Sequence, residues 1–229
     1  PPLSLDESIA VTRIHSATGQ LNGRGLVRVR PFRSPHHTAS YAAIVGGGKV
    51  PRPGEISLAH LGVLFMDEIP EFDRSVLESL RQPLEDGIVT VSRVQSQMVF
   101  PAEAMLIGAM NPCPCGYKGY PQAQCVGASL CDRYAARLSG PLMDRIDLHV
   151  NVPRLNPDDL LDLKPGESSA TIRERVASAR QRQYERYGGE ILNAKLTPKQ
   201  IREAIHLDAE SDAFMRTVAQ RLQISGRVF

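Results

Sequence analysis

No run of this chain is long and apolar enough to span a bilayer. Pro1-Pro2-Leu3-Ser4 shows neither the basic nor the apolar region of a secretory leader. Cysteine is sparse, four residues in 229, and together these absences predict a soluble protein in a reducing, cytoplasmic setting. Acid is missing from one long region. Between Ser8 and Gly54 there is no Asp or Glu, while Arg13, Arg24, Arg28, Arg30, Arg33, Lys49 and Arg52 all fall there. Also missing is the phosphate-cradling pattern Gly-x-x-x-x-Gly-Lys-Ser/Thr. Gly46-Gly47-Gly48-Lys49-Val50 comes nearest, but Ala43 stands where the first Gly belongs and Val50 where the hydroxyl belongs.

What is present is a chain with 42% hydrophobic residues and a net charge of +2. That is enough apolar material for one good core and a smaller second domain, and the global charge points to no class of partner. Ser4 with Glu7 forms a capping-box pattern that opens a helix carrying Leu5, Ile9 and Ile14. Residues 19–48, rich in Gly and Pro, predict an elaborated loop or hairpin. Leu61–Met66 and Met105–Met110 are apolar runs that predict strands buried on both faces, as in a parallel sheet. A helix should follow Asp73, bend at Pro83 and end at Gly87, and a hairpin over Ile88–Ser92 and Gln97–Phe100 should have residues 93–96 at its tip. Asp132–Leu138 reads as a helix and Asp147–Val152 as a third strand. Beyond Pro153 the pattern is helical: Ala170–Tyr187, Pro198–His206, Ala209–Leu222 and a start at Ser225. The predicted organisation is an α/β domain over residues 1–153 and a helical domain over 154–229.

The chemistry-bearing motif is Val63-Leu64-Phe65-Met66-Asp67-Glu68. An apolar strand ending in adjacent carboxylates places them at the C-terminal edge of a sheet, where open α/β folds bind ligands. In nucleotide hydrolases such acids hold Mg²⁺ and polarise the attacking water. A buried strand followed by a solvated acidic turn gives the same pattern. Asn111 ends the second apolar strand, where an amide can orient water or serve only a turn. Arg145, between a helix and a strand, suits either an arginine finger or an ion pair with Asp144 or Asp147.

Several segments in order carry a resemblance: Arg30-Pro31-Phe32-Arg33-Ser34-Pro35-His36-His37, Gly46-Gly47-Gly48, Pro53–His60, Phe65–Glu68, Arg81–Gly87, Met110-Asn111-Pro112-Cys113-Pro114-Cys115-Gly116 and Gly140–Asp147. Across essentially its whole length the chain resembles the magnesium-chelatase-like (ComM/YifB-type) AAA+ ATPases. The resemblance implies an AAA+ parallel sheet with a helical lid, Asp67 and Glu68 as the Walker B pair, Asn111 as sensor 1, Arg145 as the arginine finger and Arg227 as the sensor 2 arginine. ATP and Mg²⁺ are the implied cofactors, with Asp67, Asn111 and Arg227 at the nucleotide. A homo-oligomeric ring, expected to be a hexamer, in the bacterial cytoplasm is the implied assembly. The resemblance also places the phosphate-binding loop, and the central strand leading into it, before Pro1, so the chain is expected to be a piece of a longer protein whose sheet lacks that strand.

Cys113, Cys115, Cys125 and Cys131 gather in one loop, which suggests a structural Zn²⁺ site, with reduced thiols and disulfides as the other readings. The acid-free region and the hairpin make Arg24, Arg28, Arg30 and Arg93 candidate DNA contacts, against the alternative of a solvated charged loop. Arg173, Arg175, Arg180, Arg182 and Arg186 are interleaved with Glu174 and Glu185 and read as a solvated helix face first and a DNA surface second. His36-His37 lacks a third ligand at recognisable spacing and reads as structural.

Three functions follow: an ATP-driven ring acting on DNA in branch migration, as a helicase of competence and recombination; a magnesium chelatase subunit driving Mg²⁺ into a porphyrin; and a non-hydrolysing, zinc-stabilised interaction module. The missing glycine-lysine loop yields a first prediction. Residues 1–229 alone should bind ATP weakly or not at all, because the amide cradle and Lys that grip the β- and γ-phosphates are absent. Isothermal calorimetry checks this, and tight binding by this chain contradicts it.

Overall fold

The computed structural model describes residues 1–21, 23, 25–93, 96–117, 127–153 and 165–222. They fall into two units, Pro2–Leu148 and a second made of His149–Phe229 with Pro1. The first holds α1 (Leu5–Ala17), β1 (Phe32–Arg33), α2 (Tyr41–Val45), β2 (Gly46–Gly47), β3 (Arg52–Pro53), α3 (Glu55–Leu58), β4 (Val63–Met66), α4 (Arg74–Ser79), α5 (Arg81–Asp86), β5 (Ile88–Arg93), β6 (Ser96–Pro101), β7 (Met105–Gly108), α6 (Ala128–Ala135) and α7 (Gly140–Met143). The second holds α8 (Ser169–Tyr187), α9 (Pro198–Ala204) and α10 (Ala209–Leu222).

Strands β1, β4 and β7 form a parallel sheet in that order, with β4 central. Phe32 lies opposite Val63, and Val63 opposite Met105. Leu64 and Met66 of β4 point into a core shared with Ile44, Ile56, Phe72, Val76, Leu77, Leu80 and Leu142. This is an α/β architecture followed by helices. The sheet has three parallel strands among the described residues, and β7 lies at its edge.

Local chemistry accounts for the elements. Ser4 Oγ accepts from the Glu7 N–H while the Glu7 carboxylate accepts from the Ser4 N–H, so the capping box is complete. The helix after Asp73 breaks at Leu80 into α4 and α5. Pro83 has no N–H to give the Ser79 carbonyl, and its ring crowds that carbonyl. Gly87 closes α5 at φ 67°, and β5 pairs antiparallel with β6 from Ile88–Pro101 to Arg93–Ser96. β2 and β3 form a short hairpin joined by residues 48–51. It is a backbone crossing, because a Cβ at Gly46 or Gly54 would overlap the opposing main chain.

Three sequence expectations change. β7 is not buried on both faces, since Met105 is 65% exposed and Ile107 42%. Residues 147–152 form no strand, and Leu148, Val150 and Val152 are each more than 80% exposed. Alternating apolar residues make a strand only where a neighbour supplies the ladder. The helix expected over Asp132–Leu138 is α6, which starts at Ala128 and ends at Ala135. In the second unit α8 and α9 contain no buried residue, and the helix start expected at Ser225 lies outside the described residues.

Gly62 is the tightest junction in the sheet. The Pro31 carbonyl accepts from the Val63 N–H at 2.8 Å, and a Cβ on Gly62 would overlap that carbonyl. Gly62→Ala should therefore destabilise the larger unit by about 3 kcal/mol, the upper part of the overpacking range, because a backbone atom cannot swing aside. Gly140→Ala, where the added methyl meets open space, should change stability little. Urea unfolding of the two variants checks the contrast.

Candidate nucleotide site at the edge of the parallel sheet

Strand β4 alternates half-buried and buried residues, with Phe65 stacked on Phe32 of β1 at 6.1 Å between ring centroids. Pairing with the β7 chain continues past both strands: Ala109 N–H donates to the Met66 carbonyl, and Ile69 N–H donates to the Ala109 carbonyl, each at 3.0 Å. A regular parallel rung would use the N–H of Glu68. Using that of Ile69 leaves one extra residue in the first chain, a bulge that pushes Asp67 and Glu68 out to solvent. Glu68 meets the bulge by adopting a left-handed backbone, φ 50° and ψ 43°. Its N–H donates to Asp67 Oδ1 at 2.9 Å, so the bulge is held from within.

Asn111 lies two residues beyond Ala109 and is exposed. The Asp67-Glu68 pair and Asn111 thus leave neighbouring parallel strands at the same C-terminal edge. Sequence reasoning missed a further participant, His37, whose Nδ1 lies 3.2 Å from Glu68 Oε2. His37 follows β1, on the opposite flank of β4 from β7. Its ring is 4.1 Å from that of His36 and meets Phe72 edge-on. The signal that could have found it was the position of the His pair just after β1, at the same sheet edge as the acids.

Tyr134 of α6 borders the same edge. Burial pushes its phenol above the ordinary tyrosine value, and the charges of Glu71 and Glu68 add to the shift. Glu71 pairs with Arg137 at 3.1 Å. A cleft lined by Phe72, Arg74, Leu77, Arg133, Ala136 and Arg137 lies between α4 and α6; Asp67 and Glu68 are not among its lining residues.

The arginines fare differently. Arg145 donates to the Pro141 carbonyl at 2.5 Å and forms an ion pair with Glu85, neither Asp144 nor Asp147 being its partner. Its side chain is 14% exposed. Arg30 donates to Glu7 Oε2 at 2.7 Å, the Leu61 carbonyl at 2.7 Å and the Pro2 carbonyl at 3.1 Å. Those bonds tie α1 to the chain entering β4 and remove Arg30 from the candidate DNA contacts. Arg33 clamps Glu55 through two bonds of 2.6 Å, and this hydrogen bonding raises the guanidinium above its ordinary value. Arg28 is exposed. Arg24, Cys125 and Arg227 lie outside the described residues, as does the side chain of Arg93. Cys113, Cys115 and Cys131 come together beside Asn111 and α6.

The exposed carboxylates of Asp67 and Glu68 have the chemistry to hold a hydrated Mg²⁺, which prefers one or two carboxylates and keeps several waters. The glycine segment at 46–49 does not fit a phosphate cradle, because its turn is closed by pairing with β3.

The family model described as "Magnesium chelatase, subunit ChlI" matches residues 1–160, and that of its C-terminal part matches residues 166–229. YifB of Escherichia coli strain K12 is 43% identical over all of this chain and 45% of its own length. The competence protein ComM of Haemophilus influenzae is 45% identical over 87% of this chain and 39% of its own. The magnesium-chelatase 67 kDa subunit of Heliobacterium mobile is 26% identical over 60% of this chain and 20% of its own. The chain therefore spans less than half the length of these curated relatives. No helix among the described residues is long and apolar enough to cross a membrane. On this agreement of fold, sheet edge and whole-length similarity, the chain belongs to the magnesium-chelatase-like AAA+ family.

Proposed function

We propose that this chain is the hydrolytic core of an ATP-driven ring, expected to be a hexamer, that acts on DNA. The observation that carries the reading is the common sheet edge, where the bulge presents Asp67 and Glu68 beside the strand that leads to Asn111. Asp67 holds Mg²⁺ with the nucleotide, Glu68 polarises the attacking water, and Asn111 orients that water or senses the terminal phosphate. Mg²⁺ supplies neutralisation of the phosphate charge. Arg227 completes the nucleotide site in this reading. Arg145 serves the neighbouring subunit only after exchanging Glu85 for phosphate, an exchange between two anionic partners of one guanidinium. A structural Zn²⁺ at the cysteine cluster is the remaining cofactor.

His37 gives Glu68 a resting partner. Glu68 Oε2 meets an imidazole that follows β1, whereas Asn111 follows β7 on the other flank of β4. Release of that contact readies Glu68 for the water.

Arg28, with Arg24 and Arg93, supplies the contact to DNA phosphates, and this binding weakens as salt rises. Similarity to the competence protein ComM over 87% of this chain supports the motor reading, since the magnesium-chelatase subunit matches over a shorter stretch and at lower identity. The family description itself favours a second reading, a chelatase motor that drives Mg²⁺ into a porphyrin.

The test uses the full-length protein. Turnover of ATP should rise with forked or branched DNA and the DNA should be unwound; stimulation by a porphyrin-loaded partner and by no DNA supports the chelatase reading instead. Glu68→Gln should lower kcat at least about a hundredfold while ATP affinity stays within about twofold, since a general-base contribution is of that order. His37→Ala should raise the DNA-independent rate and shrink the stimulation ratio. A fall in both rates shows that the imidazole assists the reaction instead of restraining Glu68.

A further inference from the structure

Apart from the acidic edge, the densest gathering of reactive side chains is the set of three thiols. Cys113 and Cys115 flank Pro114 in the turn after Asn111, and Cys131 enters from α6. The turn is closed by Gly116, whose N–H donates to the Cys113 carbonyl at 3.0 Å and whose φ of 74° is a conformation glycine adopts at little cost. Sγ of Cys113 and Sγ of Cys115 lie 3.2 Å apart, and the three sulfurs lie within 4.8 Å of one another. A tetrahedral Zn²⁺ with bonds of about 2.3 Å separates its sulfurs by about 3.8 Å, so small side-chain shifts bring all three to one ion.

Ordinary packing does not explain this arrangement. Cys113 and Cys131 are 0% and 1% exposed and lie outside the main apolar cluster around Leu64 and Met66. Buried thiols that act as small hydrophobes sit among aliphatic side chains. Here they face one another from two separate segments, in the donor set that soft divalent metals select.

We propose that Cys113, Cys115 and Cys131 bind one thiophilic divalent cation of the Zn²⁺ class, and that this ion fixes the Asn111 turn against α6. The second half of the proposal rests on the role given to Asn111 above; the first half does not. The geometry supports the coupling. Residues 109–117 contain no helix or strand after the last sheet rung at Ala109. Cys113 is only two residues beyond Asn111, and Cys131 enters from α6, so the thiol cluster joins the Asn111 turn to that helix. Asn111 is a positioning target here, and the cysteines are given no contact with the substrate. Cys125, the fourth cysteine of the sequence reading, lies outside the described residues, and the site stands on the other three.

Metal analysis of the full-length protein, purified without chelator, tests the site directly. About one Zn²⁺ per chain is expected, released when a mercurial titrates the thiols. Cys131→Ser should cut the zinc content at least tenfold. Where that variant fails to fold, the wild type suffices: exchange of Zn²⁺ for Co²⁺ should give an intense near-ultraviolet thiolate-to-metal absorption. Protein that carries no metal, takes up no Co²⁺ and presents reactive thiols, or a Cys113–Cys115 disulfide, overturns the proposal. The coupling is read separately. Removing the metal should lower kcat for ATP roughly tenfold to a hundredfold, the effect of a misplacement of about 1 Å, with nucleotide affinity within about twofold. Unchanged kcat after metal loss overturns the coupling. Because zinc content is measured without nucleotide, failure of the ATPase reading leaves the metal result intact.

Discussion

Ala109 bonds at the same time to the Met66 carbonyl and the Ile69 N–H, and the candidate site depends on that double contact. A regular parallel rung spans three residues of its neighbour, whereas Ala109 spans four, from Met66 to Ile69, and the surplus is pushed outward. Here the surplus carries both carboxylates. Because β4 is hydrogen-bonded on both sides and Leu64 and Met66 are buried beneath it, the bulge rests on the most constrained strand in the unit. The left-handed backbone at Glu68 costs about 1–2 kcal/mol in a residue with a side chain. The internal bond from Glu68 N–H to Asp67 and the contact with His37 offset part of that cost.

Much of this edge could be read from the residues alone, for physical reasons. An apolar run followed by two acids fixes where a buried strand must stop, and β4 ends at Met66 as that pattern requires. The hairpin, the helix break before Pro83 and the stop at Gly87 follow from backbone chemistry that acts over three or four residues, so local sequence suffices. Interactions set by distant partners were not legible. His37 finds Glu68, Arg30 finds Glu7 and Arg145 finds Glu85 across the fold, and no spacing rule announces such pairs. Residues 147–152 show the reverse case: the alternation was legible, but a strand also needs a neighbour, which lies beyond the reach of any local pattern.

The same long-range pairing alters the electrostatic reading of the acid-free region. Counted along the chain, the stretch from Ser8 to Gly54 is a block of positive charge. Folded, it borrows acids from outside itself: Glu7 neutralises Arg30, and Glu55 takes Arg33 in a bidentate clamp. Both carboxylates lie immediately beside the block in sequence. Its arginines thus divide into those that build the unit and those, such as Arg28, whose exposure leaves them able to meet phosphate. Charge density along a sequence overstates the nucleic-acid surface wherever flanking acids fold back.

How firmly Asn111 is held follows from the balance at β7. Met105 and Ile107 remain largely exposed, so packing on that side gives little of the roughly 25 cal/mol per Å² that buried apolar area supplies. An all-parallel sheet ordinarily covers both faces of such a strand. The turn beyond β7 is therefore located mainly by the rungs at Ala109 and by whatever ties Cys113 and Cys115 to Cys131. A hydrogen-bonded rung fixes one backbone atom and leaves the next residues free to pivot. A metal bound to three side chains on both sides of the turn fixes distance and direction together, which is the constraint that a water-orienting amide two residues away requires.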